Sequence, residues 1–372
     1  MNSNTFENPA APELPRLCPP RSDAARICFK ATPDDFIVEE LPLYEPSGVG
    51  THTWLWIQKR GMTSHAVARA LAQRLRKNPA DAGIAGLKDA QAVTRQWITF
   101  ENVSESPDDI AAFSDENMKV LSVTRHANKL RMGHLRGNRF VIRIRSAGDP
   151  TGAAATQAML ERAQQVLTIL KQRGIPNYFG EQRFGNAGTN AAMGKLLVQG
   201  DTKGFSAAMI AAGQARQAHD RKLRNLIVNA FQSELFNRVV AARMPDLGTL
   251  LAGDLASLHR NSAVFKIATA EDAQREQPRA DAHEISPSGP IFGPKMAQPE
   301  GVPGEIETRI LNEAGVTSAD FGRKEAEHQP GARRPLRIFF IEEPDASIDL
   351  NDVLLRFALP SGSYATVVLN EM

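Results

Sequence analysis

The segment Arg139-Phe140-Val141-Ile142-Arg143-Ile144-Arg145 constrains the fold of this chain more than any other. Successive side chains of a β-strand point to opposite faces, so Phe140, Ile142 and Ile144 share one face and Arg139, Arg143 and Arg145 the other. The first face belongs to a core, and the second to water or a charged partner. His52 to Gln58 also alternates, with Trp54 and Trp56 against Thr53, Leu55 and Ile57, which predicts a strand packed on both sides. Phe36-Ile37-Val38 reads as a shorter strand.

Thr63 or Ser64 caps a helix in which Val67, Leu71 and Leu75 recur at one-turn spacing, and Asn78-Pro79 ends it. A further strand runs through Ile98. Strand, helix, loop, strand is the order of a mixed α/β or α+β sheet domain. Ala155 to Arg173 predicts a helix with Ala163, Val166, Leu167 and Leu170 inward and Gly174 at its C-terminal cap. Beyond Ile175-Pro176 the texture changes. Asn177 to Gly185 is a loop of glycines and aromatics, and Ala218 to Arg243 predicts one long helix carrying Leu226, Ala230, Phe231, Phe236 and Val240. Residues 270 to 303 read as polar loop and Gly331 to Arg337 as a turn rich in cations. Strand patterning returns at Ile338-Phe339-Phe340-Ile341 and Asp352 to Pro360, while Ser363 to Leu369 fits a strand or a helix equally.

At 372 residues the chain exceeds the size at which single cores usually split, so two domains are expected. Pro9, Pro12, Pro15, Pro19 and Pro20 make the first residues a loose arm. The net charge is only +2, so any affinity for nucleic acid must come from local clustering. Such clustering exists. Between Asn117 and Gly148 there is no acidic residue, yet the window holds Lys119, Arg125, Lys129, Arg131, Arg136, Arg139, Arg143 and Arg145. Phosphate contact accounts for cations left so uncompensated. Cys18 and Cys28 form no disulfide framework or metal spacing, and the scattered histidines include no metal-binding pair. No Gly-rich phosphate loop, signal peptide or membrane-spanning run is present, and a reduced, cytoplasmic protein is expected.

One carboxylate stands out chemically. In Gly86-Leu87-Lys88-Asp89-Ala90-Gln91-Ala92-Val93-Thr94-Arg95-Gln96, Asp89 sits among cations that hold a carboxyl ionised. It is a nucleophile, a base or a salt-bridge partner; the stretch alone does not choose.

That stretch, with Phe29-Lys30…Asp35-Phe36…Glu39-Glu40 and Arg136-Gly137-Asn138-Arg139-Phe140, resembles motifs of the TruD family of transfer-RNA pseudouridine synthases. The resemblance continues through Pro176 to Gly185, Gln232-Ser233…Phe236-Asn237, Ser286 to Gly293, Arg333-Arg334-Pro335 and Leu359-Pro360…Gly362 to Thr366. It runs in order from about Lys30 to the C-terminus. It implies an α+β catalytic domain with a mixed or antiparallel sheet, at residues 25–172 and 336–372. A largely helical insertion at 173–335 would interrupt it, with a cleft between the two, and residues 1–24 would be a flexible arm.

By motif position the resemblance makes Asp89 the catalytic aspartate and places Phe36, Asn138, Phe140 and Phe357 around a uracil. Lys30 or Arg139 would keep Asp89 ionised, and Arg136, Arg139, Arg143 and Arg145 would meet RNA phosphates. The implied activity isomerises the uridine at transfer-RNA position 13 without cofactor, metal, membrane or obligate protein partner. An RNA-binding protein or chaperone without catalysis would explain the basic window equally, but not a carboxylate kept in the middle of a basic protein face. A methyltransferase would need an adenosylmethionine loop that the sequence lacks.

Overall fold

The computed structural model describes residues 14–19, 27–146, 152–185 and 188–372. They form two compact units, one from Pro20–Lys171 with Phe340–Ala365, the other from Gln172–Phe339 with Thr366–Glu371 and the described part of Met1–Pro19.

In the first unit, β1 (Ile27–Cys28), β2 (Phe36–Pro42) and β3 (His52–Arg60) precede helix α1 (Ser64–Arg74). Then come β4 (Gly83–Ile84), β5 (Val93–Glu101), α2 (Pro107–Ala111), β6 (Met118–His126), β7 (Leu135–Ser146) and α3 (Ala153–Arg173). Thr63 caps α1 by accepting from the Ala66 amide at 3.1 Å, as its sequence predicts. Val67 and Leu71 of α1 are fully buried in one cluster with Leu55, Ile57, Ile98 and Phe100, so the helix covers one sheet face. The other face of β3 packs Trp54 against Trp97, with Trp56 and Tyr44 alongside.

The second unit holds β8 (Ile175–Pro176), α4 (Thr189–Gln199), α5 (Thr202–Ala211), α6 (Arg221–Ala242), β9 (Leu255–Leu258) and β10 (Val264–Lys266). It continues with α7 (Ala270–Asp281), β11 (Ile285–Ile291), α8 (Gly301–Ala314), β12 (Ala332–Pro335) and β13 (Arg337–Ile338). The expected polar loop at 270–303 is therefore a helix, a strand and the start of another helix. The expected turn at 331–337 holds two strands. A four-stranded sheet in the order β10-β9-β11-β12 accompanies the helices. Leu226 of α6 is 45% exposed, and Ile227 takes its place in the core.

The cations of 333–337 point inward. Arg333 pairs with Glu307 at 2.8 Å, and Arg334 lies 4.3 Å from the Phe179 ring centre. Arg337 is buried and donates to the carbonyls of Arg173 and Ala280 and to Ser286 Oγ. Those carbonyls lie at the C-terminal ends of α3 and α7, the negative ends of the helix dipoles, where a cation is favoured. Burial lowers Arg337 to about 10.

The chain then adds β14 (Asp345–Asp349) and β15 (Asp352–Pro360) to the first unit, and α9 (Ala365–Asn370) resolves the ambiguous C-terminal segment as helix. The completed sheet has the order β14-β15-β7-β2-β5-β3-β6, with β1 on β7 and β4 on β5. Among the described residues only the β2–β5 pairing is parallel. The arm of residues 1–24 lies mostly outside the described residues. Within it Leu17 and Cys18 are buried, and the Cys18 amide donates to the Glu371 carboxylate at 2.8 Å.

Candidate active site

Strand phase decides what the central sheet presents beside α1. Phe36, Val38 and Glu40 of β2 point to one face, opposite Ile142, Phe140 and Asn138 of β7. Phe357 and Leu359 of β15 lie opposite Phe140 and Asn138. Leu55, Ile57 and Lys59 of β3, and Ile98, Gln96 and Thr94 of β5, continue that face. Core residues thus give way along each strand to polar ones, and the polar ends collect around the loop between β4 and β5 that carries Asp89.

Asp89 Oδ2 is ion-paired with Lys30, and Oδ1 accepts from the Gln91 amide at 2.9 Å. Burial pushes this carboxyl upward, but hydrogen bonds from Lys30 and Gln91 and the charges of Lys30 and Lys59 outweigh it. The net result lies below the usual carboxylate value. Lys30, held at a positive φ of 62°, also rests its ammonium 4.1 Å from the centre of the Phe36 ring. Phe36 meets Phe140 edge-on at 6.1 Å, and Phe140 lies 5.5 Å from Phe357. Lys30, Asp89 and the three phenylalanines expected from sequence are therefore one contiguous group. All three rings are buried, Phe357 at 2% exposure standing behind Phe140 as its support.

Asn138 shares the Phe140 face, and its Oδ1 is buried with no hydrogen-bond partner among the described residues. Opposite it, Glu40 forms a buried ion pair with Lys88 at 2.7 Å and accepts from the Trp97 amide. Burial raises the Glu40 carboxyl against the pull of Lys88. The motif loop is pinned further. Lys88 N donates to Ser64 Oγ, Ser64 Oγ donates to Gln96 Oε1, and Gln96 Nε2 reaches the Gly86 carbonyl. Gly86 is not among the glycines at positive φ, so these bonds rather than glycine freedom shape the turn.

The basic strand face differs from its expectation. Arg139 bonds Glu39 and Glu342, Arg143 bonds Asp349 and Asp352, and Arg145 grips Asp35 with two bonds of 2.6 and 2.7 Å. The window has no acid of its own, but carboxylates from β2, its preceding turn and the β14–β15 region compensate it. Arg139 is thereby held by carboxylates other than Asp89, whose cation is Lys30. Arg136 remains exposed. Lys59 was not singled out from sequence, while Ser64 was read there only as a helix cap and Glu40, Lys88 and Gln96 only as parts of motifs. For the strand residues Glu40, Lys59 and Gln96 the signal was a polar residue in phase with buried apolar ones.

A sequence profile of the family tRNA pseudouridine synthase D (TruD) matches residues 22–220 and 212–372. The chain is 37% identical to "tRNA pseudouridine synthase D" of Geobacter sulfurreducens, covering 92% of this chain and 93% of that one. Identity to the protein of the same name from Anaeromyxobacter dehalogenans is 43%, with 92% of each chain covered. A crystal structure titled as a putative tRNA pseudouridine synthase D from Methanosarcina mazei superposes with a TM-score of 0.72 at 22% identity, over 98% of this chain and 95% of that one, which supports the shared fold. With the motif positions assembled around Asp89 and matches spanning nearly the whole chain, this protein belongs to the tRNA pseudouridine synthase D family.

Proposed function

We propose that the chain converts a uridine of transfer RNA into pseudouridine, with Asp89 as the reacting carboxylate and position 13 as the target. The observation that carries this reading is the ionised, half-buried Asp89 paired with Lys30 at the end of the Phe36–Phe140–Phe357 row. The reaction breaks the bond between uracil N1 and ribose C1′, turns the base and joins C5 to C1′. C5 gives up a proton and N1 gains one. Nothing is consumed, so the isomerisation calls for no cofactor. An anionic carboxylate adds to the base or the sugar, or takes a sugar proton, and each route requires it deprotonated.

A uridine inside folded RNA must leave its stack to reach the carboxylate, and aromatic side chains receive such a base. Phe36 and Phe140 take that role, with Phe357 behind them. Asn138 Oδ1 is an acceptor suited to the uracil N3–H, since a buried acceptor left unpaired costs about 1–3 kcal/mol. Arg136, Arg139, Arg143 and Arg145 serve phosphates, the last three by exchanging carboxylate partners. We assign catalysis to residues 25–172 and 336–372, and selection among uridines to the insertion at 173–335. A transfer-RNA substrate places the enzyme in the cytoplasm.

The test is turnover on unmodified transfer RNA without added cofactor, comparing the wild type with Asp89→Asn. The wild type is expected to form pseudouridine at one position. The near-isosteric variant should bind the RNA with similar affinity and form none. Full binding without turnover by the wild type would leave an RNA-binding protein, and clear turnover by Asp89→Asn would move the chemistry to another residue.

A further inference from the structure

We propose that Lys59 is a positioning residue for Asp89: its buried ammonium holds the backbone of the Lys88–Asp89 turn from the sheet side and adds a second positive charge near the carboxylate. The inference rests on Asp89 being the reacting group.

Lys59 follows Leu55 and Ile57 on the inward face of β3, next in phase to two residues of the apolar core. It is 0% exposed. Its ammonium bonds the carbonyls of Met62 at 2.6 Å and Asp89 at 2.8 Å, with the Lys88 carbonyl farther away at 3.5 Å. An ammonium has three donors, and these three carbonyls use them all. No carboxylate bonds it among the described residues. A buried cation held by carbonyls alone is costly, and its position ties the turn leading into α1 to the loop that carries the reacting carboxylate.

The charges that face Lys59 come from that loop: Asp89, with Lys30 against it, and Lys88, with Glu40 against it. His65 on α1 is exposed. Burial lowers Lys59 to about 8, the Asp89 charge resisting and the Lys88 charge adding to the fall. In the other direction, Lys59 is one of the cations that keep Asp89 ionised. As pH rises through about 8 the amine loses its charge and one of its three donors, and the turn loses part of its hold.

Lys59→Met and Lys59→Arg test this, with thermal melting as the check on folding and single-turnover rate and transfer-RNA affinity read separately across pH. Lys59→Met is expected to bind RNA as the wild type does and to react about 100-fold more slowly, the scale of loss for a reacting group displaced by roughly 1 Å. Its acid limb should move to higher pH, because Asp89 has lost a cation. Lys59→Arg should restore the acid limb and lack the wild-type decline near pH 8; any alkaline limb that persists in it belongs to the RNA. A folded Lys59→Met with wild-type rate and unmoved acid limb overturns the inference. So does a wild-type rate that stays flat through pH 8, whether or not the variants fold. Asp89→Asn separates the two readings. If it keeps full turnover, the assignment of Asp89 fails and this inference with it. If it is inactive while Lys59→Met is unimpaired, only the role of Lys59 falls.

Discussion

Lys30 touches both parts of the candidate site, with its charge on Asp89 and its face on Phe36. Removing that charge by Lys30→Met should raise the Asp89 carboxyl, so the acid limb of the pH–rate profile should shift to higher pH while RNA affinity changes little. Both side chains are partly exposed, and the stability lost at neutral pH should stay below about 1 kcal/mol in a denaturant titration. The sign follows from the lowered Asp89 value. Its stabilisation is present above the unfolded carboxyl value near 3.9 and is lost as pH falls through the folded one. Asp89, Lys30, Phe36 and Phe140 were legible in sequence because their motifs resemble a family pattern. Lys59 was not, although it continues the Leu55–Ile57 phase, because the strand reading ended at Gln58 and a lysine at a strand end looks solvated. Glu40 and Lys88 were read only as parts of motifs, and their burial as a pair escaped for a related reason: a charged residue becomes a core residue only when its partner arrives from another strand or loop.

Ion pairs between elements hold the sheet around that site. Asp35 lies in the turn before β2, while Arg145 lies near the end of β7, and their two hydrogen bonds fasten one to the other. The bond from Arg145 lowers Asp35 to about 2 against the cost of burial, with the Thr32 amide helping. This contribution is full above the unfolded value near 3.9 and disappears as pH falls toward about 2. Asp35→Ala should therefore lower unfolding free energy at neutral pH by about 1–2 kcal/mol, since Arg145 is one-third exposed and keeps its ion pair with Asp352, and should flatten the acid dependence of urea midpoints. Elements with a clear period were legible, as β3, α1, β7 and α3 show. Strand β11 was not: Ile285-Ser-Pro-Ser-Gly-Pro-Ile has no alternation, because six of its seven residues are buried. Helix α7 escaped because the residues it buries are alanines, Ala273 and Ala280, with Pro278 interrupting the pattern.

Across the whole molecule a net charge of +2 offers little general attraction for RNA, so binding must rest on cations free to change partners. Arg143 and Arg145 start from carboxylate partners, and phosphate contact there exchanges one ion pair for another. Arg131 and Arg136 are exposed, and Glu342, whose charge Arg136 feels, bonds Arg139 instead. Neutralising Arg131 and Arg136 should therefore flatten the log–log salt dependence of transfer-RNA binding by about one unit per lost contact. Neutralising Arg143 and Arg145 should change the slope less, as read in filter-binding titrations. The sheet order has a consequence of another kind, in time rather than energy. Phe140 needs Phe357, and β15 comes almost last in the chain. With translation at about 5–20 residues per second, β15 is made roughly tens of seconds after Asp89. Until then β7 presents an open edge, the sort of surface on which strands of other chains add. A ribosome that stalls before Asp345 releases a polypeptide with every charged group of the site and no ring behind Phe140. A chain cut before Asp345 is therefore expected to show no turnover in a single-turnover assay, and its β7 edge stays without β15 until that strand emerges.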